Sequence, residues 1–154
     1  MNIYLRSIIA GFVATVVLSL LMIMKSAMGM MPQLDVVSML GGMAQRMTGA
    51  GGPAMGWLIH FLIGTVLWGV LFALLHERLP GTQAVIKGLS FSVLAWLLMM
   101  ILAMPMAGAG FFGVRIGIMA PVATLILHLV WGAVLGIVFQ FLPSSPEAVS
   151  SPRT

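Results

Sequence analysis

The chain has 154 residues, 61% hydrophobic and 6% charged, with a mean hydropathy of +1.16 and a formal charge of +4. Seven basic and three acidic residues cannot coat a soluble core, and the basic ones are scattered singly, which excludes the clustered Lys and Arg of a nucleic-acid-binding face. Cysteine is absent, so disulfides, thiolate metal sites and cysteine catalysis are excluded as well.

About 20 apolar residues cross a hydrocarbon core of roughly 30 Å, and four stretches are long enough, at about 7–30, 55–75, 85–104 and 121–142. The predicted fold is therefore all-α and integral to the membrane, a four-transmembrane-helix bundle forming one domain over 1–142. Met31-Pro32, Leu79-Pro80-Gly81, Met104-Pro105 and Leu142-Pro143 punctuate the helix ends. The first segment follows Arg6 like a signal peptide, but its long uncharged run and poor cleavage site predict a retained helix.

Between the first two spans, Leu34, Val37, Met39, Leu40, Met43 and Met47 recur near the helical period, which predicts a short interfacial helix with Asp35 in its first turn. The loop from Pro105 to Ala120 holds Gly108, Gly110 and Gly113 around Phe111 and Phe112, an irregular apolar cap. The serine- and proline-rich end, 143–154, reads as a disordered tail.

Four crossings put both termini on one side. Arg6, Arg78, Lys87 and Arg153 lie there, against Lys25, Arg46 and Arg115 opposite, which leans towards cytoplasmic termini.

The second and fourth spans share a pattern, with His60, Gly64, Val66 and Leu67 reappearing as His128, Gly132, Val134 and Leu135. Gly11, Leu20, Leu21 and Met22 of the first span fall on Gly88, Leu97, Leu98 and Met99 of the third. This predicts two duplicated helical hairpins, about 1–80 and 81–142, arranged as a parallel repeat. Chance similarity between apolar helices is the alternative.

An ionisable residue inside a span is a functional candidate by default. With axes of adjacent helices ~8–10 Å apart, the diagonal of the bundle is roughly 11–14 Å, so His60 and His128 could reach one ligand from opposite sides. A b-type haem with two axial histidines suits that gap. Gly64 and Gly132 would then clear room for the macrocycle, and Arg46 or Arg115 would meet its propionates. The plain alternative is close packing at the glycines with histidine as interhelical hydrogen-bond glue, and no cofactor. His76, beside Glu77 and Arg78, reads as interfacial.

Copper is the rival metal. Apart from Met1, the methionines run from Met22 to Met55 and from Met99 to Met119, and Met28, Met30 and Met31 with Met104 and Met106 give closely spaced thioethers that suit Cu(I) beside His60 or His128. Asp35 with His60 could instead form the proton or cation site of a small dimeric transporter. No catalytic constellation is visible: Asp35, Glu77 and Glu147 are scattered, and the glycines from Gly49 to Gly56 lack the lysine ending of a phosphate loop.

Several motifs together carry a resemblance: Gly11 to Thr15; Met31-Pro32 with Asp35; Gly56 to Phe61 around Trp57 and His60; Ala95-Trp96-Leu97; Met104 to Gly113; and Leu127-His128-Leu129 with Gly132. The chain resembles an uncharacterised bacterial family of four-helix inner-membrane proteins over nearly its whole length. That resemblance implies a bacterial inner (plasma) membrane location and brings no activity. The residues themselves predict a haem- or metal-binding membrane protein serving electron transfer or metal handling. Two further readings stand beside that one, a non-enzymatic accessory subunit of a larger membrane complex and the dimeric transporter.

Overall fold

The computed structural model describes residues 1–144, and among these the regular structure is entirely helical. We number the helices α1 (Ile3–Ala27), α2 (Val36–Thr48), α3 (Pro53–Leu75), α4 (Ala84–Met106) and α5 (Ala120–Phe141). All but α2 are long and apolar enough to cross a membrane. The expected tail lies, from residue 145 onward, outside the described residues.

The observed spans differ from the expected ones by a few residues at the ends. α1 starts at Ile3 because the Asn2 side chain caps it, accepting from the Leu5 amide at 2.8 Å. It stops at Ala27 because Lys25 Nζ bonds the carbonyls of Met30, Met31 and Leu34 at 3.2, 3.0 and 2.8 Å, holding the chain in a turn. Asp35 precedes the first turn of α2 as its N-cap, with Oδ1 accepting from the Ser38 amide at 3.0 Å and Oδ2 from the Ser38 hydroxyl at 2.6 Å. Burial alone would raise the Asp35 pKa, but these hydrogen bonds, with Lys25 nearby, outweigh it and hold the carboxyl below its ordinary value.

The Pro105 ring does not end α4. One turn earlier, Met99–Ala103 widens into a π-helical turn in which the Met104 amide reaches back to the Met99 carbonyl. The missing N–H of Pro105 falls where the hydrogen-bond ladder has already shifted, and the helix continues to Met106. A second π turn interrupts α3 at Leu62–Leu67, where the Trp68 amide bonds the Ile63 carbonyl.

α1 and α5 stand together at the centre of the arrangement. α1 packs against α3 on its other side, and α5 against α4. The face α1 buries is made of small residues, Ser7, Ala10, Gly11, Ala14, Thr15 and Ser19, at the spacing of one helical stripe, so neighbouring backbones come close. The start of α1 and the end of α5 meet on one side, where Arg6 Nη2 donates to the Phe139 carbonyl at 2.9 Å and the guanidinium lies 4.2 Å from the Phe139 ring centre. His76, expected to be merely interfacial, packs its ring against Phe72 and Phe139 in this cluster.

The two hairpins repeat one set of contacts. A Cβ on Gly11 would lie 3.0 Å from the Gly64 carbonyl, and one on Gly88 would strike the carbonyl of Gly132. In the same way Gly64 is covered by Thr15, and Gly132 by Ser92, each partner lying 77 positions after its counterpart. Gly69 sits over Ser7 and Ile8, and Gly136 over Ala84 and Val85, again 77 positions on. Yet Gly64 and Gly132 are 68 positions apart, whereas Gly69 and Gly136 are 67 apart. One extra residue in α3 lies between these contacts, where the π turn absorbs it.

Candidate functional site

α3 and α4 touch towards the turn that joins them, where the Phe91 ring centre lies 5.9 Å from that of Trp68 and 5.4 Å from that of Phe72. Beyond these rings the two helices part, and a cavity of about 320 Å³ opens among the four spans, with Val36 and Leu40 of α2 at its loop-side end. Both π turns border it: Ile63, Gly64 and Leu67 come from one, and Met99, Leu102 and Ala103 from the other. π turns frequently mark functional sites. Leu67, Leu98 and Leu102 line the cavity and are also exposed, so it opens sideways between α3 and α4.

The walls are apolar, and both span histidines reach them. His128 Nδ1 lies 2.8 Å from the Thr124 carbonyl. A carbonyl only accepts, so Nδ1 carries the hydrogen and Nε2 keeps its lone pair. His60 Nε2 lies 3.2 Å from Ser19 Oγ, whose own hydrogen is engaged with the Thr15 carbonyl at 2.7 Å. Ser19 must therefore accept from His60 Nε2, which leaves the lone pair on Nδ1. Each imidazole is fixed through one nitrogen, and the other has no hydrogen-bond partner among the described residues. Trp57 and Phe61 meet the His60 ring edge to face, both at 5.7 Å, and hold its plane.

The remaining expected site residues disperse. Gly64 borders the cavity but Gly132 does not, and both are closed by the neighbouring helix, Gly64 by Thr15 and Gly132 by Ser92. They serve helix contact, the packing alternative, and neither stands clear to admit a macrocycle. Met31 and Met104 belong to a separate apolar cluster with Leu34, Met100 and Ala109, while Met28, Met30 and Met106 face outward. Asp35 is engaged with Ser38 and lies outside the histidine cavity. Arg46 and Arg115 donate to the carbonyls of Met106 and Gly108 at 3.3 and 3.2 Å. Among the described residues no group of three or more His, Asp or Glu could hold a metal ion.

Sequence reasoning missed Met22 and Met99, which line the cavity beside the two histidines. The signal was present, since they occupy equivalent places in the repeat, 77 positions apart. The thioethers are denser in the Met-Pro clusters, which is why the expected copper ligands fall there.

Four apolar spans packed around a histidine-bearing cavity define a multi-pass helical membrane protein. The chain belongs to a family of unknown function, DUF6789, whose family model matches residues 1–150. No curated protein and no solved structure matches it.

Proposed function

We propose that the protein binds a metal or metal-containing cofactor within the bilayer through His60 and His128, and serves electron transfer or metal handling. The observation that carries this reading is the pairing itself: two imidazoles on separate helices border one cavity, each with one nitrogen fixed and one lone pair left over. Metal-bound histidines commonly donate their second nitrogen to a carbonyl or similar acceptor, as His128 does to Thr124. The closed surroundings of Gly64 and Gly132 favour a small ion over a haem. On this reading the protein resides in a bacterial inner membrane with its termini in the cytoplasm.

The test is an ultraviolet-visible spectrum of detergent-purified protein, oxidised and dithionite-reduced, with metal analysis of the same sample, for wild type, His60→Ala and His128→Ala. A stoichiometric metal without colour, lost in both variants, supports an ion site. A Soret band lost in both supports haem. A colourless, metal-free wild type that takes up neither metal nor haem on reconstitution sinks the reading and leaves an accessory subunit or transporter.

A further inference from the structure

The cavity draws its soft donors in equivalent pairs. His60 and His128 hold matching positions in the two hairpins, and so do Met22 and Met99, and all four side chains line the same space. The remaining wall is apolar, apart from hydroxyls such as those of Thr15 and Thr124, and contains no carboxylate. The hydroxyls are already engaged: Thr15 Oγ1 accepts from Trp131 Nε1 at 3.2 Å, and Thr124 Oγ1 donates to the Ala120 carbonyl at 2.8 Å. What is left as soft donors to an occupant is two imidazole lone pairs and two thioether sulfurs.

From this juxtaposition we propose that His60, His128, Met22 and Met99 together form a site for a soft monovalent cation, Cu(I). The proposal rests on the metal-binding reading above and adds to it two ligands and the identity of the ion. Thioether and imidazole donors select Cu(I), whereas hard cations require the oxygen ligands this cavity lacks. A wall without negative charge favours a single positive charge over two, because the desolvation of a divalent ion would go uncompensated.

The experiment is anaerobic titration of Cu(I) into the detergent-solubilised full chain against a colorimetric Cu(I) chelator, in a protein whose lack of cysteine removes thiolate competition. The variants are Met22→Leu, Met99→Leu and the double substitution, with Met28→Leu and Met106→Leu as controls at exposed thioethers. The expected result is one Cu(I) per chain, weakened about ten-fold or more by each cavity substitution, unchanged in the controls, and not displaced by equimolar Zn(II). X-ray absorption of the copper-loaded wild type provides a readout that does not depend on the folding of any variant, and a sulfur shell is expected. A shell of nitrogen and oxygen alone, Cu(I) binding that survives the double substitution, or displacement by Zn(II) overturns the proposal. If His60→Ala and His128→Ala still abolish binding of a metal or haem in those cases, the histidine reading stands and only the Cu(I) site falls. If the wild type binds neither, both fall.

Discussion

The hairpin of α1 with α3 and the hairpin of α4 with α5 share a frame and differ at their histidines. In the first, Ser19 of the partner helix takes the His60 Nε2 hydrogen. The equivalent place in the second hairpin is Trp96, whose indole donates to Thr124 Oγ1 and the Pro121 carbonyl, both at 3.1 Å, so His128 turns to its own helix and bonds the Thr124 carbonyl. The π turns differ too, with the second helix bulged in one hairpin and the first helix in the other. Those are the two helices that part around the cavity, while α1 and α5, which form the seam, stay regular. One frame used twice thus keeps its glycine contacts and places its irregularities where the hairpins face an opening.

The sharpest way to break the comparison is at its glycines. Gly88→Ala drives a methyl into the Gly132 carbonyl, whereas Gly11→Ala meets the Gly64 carbonyl at 3.0 Å and needs a smaller shift. Thermal unfolding in detergent should show a loss of about 3 kcal/mol or more for Gly88→Ala and about 1–2 kcal/mol for Gly11→Ala. Equal losses would mean that the second contact is no tighter than the first.

Deleting Val66, an exposed residue in the π turn of α3, brings that helix into the register of α5. The expected outcome is a folded protein, judged by circular dichroism and gel filtration, whose metal or cofactor occupancy falls at least about ten-fold. Undiminished occupancy would make the bulge a tolerated insertion and nothing more.

Ser19→Ala removes the acceptor that orients His60 and leaves His128 untouched. We expect a stability loss of about 1 kcal/mol and weaker ligand retention at His60, whereas Thr124→Val, which keeps the carbonyl that His128 uses, should leave the His128 tautomer unchanged. Nitrogen-15 chemical shifts of the two imidazoles report both outcomes.

The smallest effect concerns the terminal side. Burial first, then Lys87, with Arg6 adding a little, holds the His76 ring below its ordinary pKa of 6.5, while Glu77 pulls the other way. The folded protein therefore takes this proton at lower pH than the unfolded chain, so this contribution to stability is complete above about 6.5 and is lost as pH falls below it. Melting temperature should decline over that window in wild type, and His76→Gln should flatten the decline.

The spans were legible because a run of apolar residues long enough to cross a bilayer has few other uses, and Asp35 with the residues after it announced α2. The histidines and the repeat were legible as residue pairings. The cavity was not, because it comes from two helices failing to meet, and a π turn leaves no mark on hydropathy. The glycines misled for a related reason: spacing places Gly64 and Gly132 beside the histidines, but only the neighbouring backbone decides whether the space beside a glycine is open or filled.

The seam between α1 and α5 joins helices far apart in sequence, with Arg6 bonded to Phe139 across 133 positions and Trp131 to Thr15 across 116. Synthesis runs from the N-terminus, so α1 enters the membrane well before its partner exists. α3 comes first and covers Ser7 and Thr15 through Gly69 and Gly64, but until α5 arrives Arg6 and Thr15 lack the partners that Phe139 and Trp131 bring. The first helix is thus finished only by α5, and a chain interrupted before residue 120 leaves the ribosome with half of that seam missing.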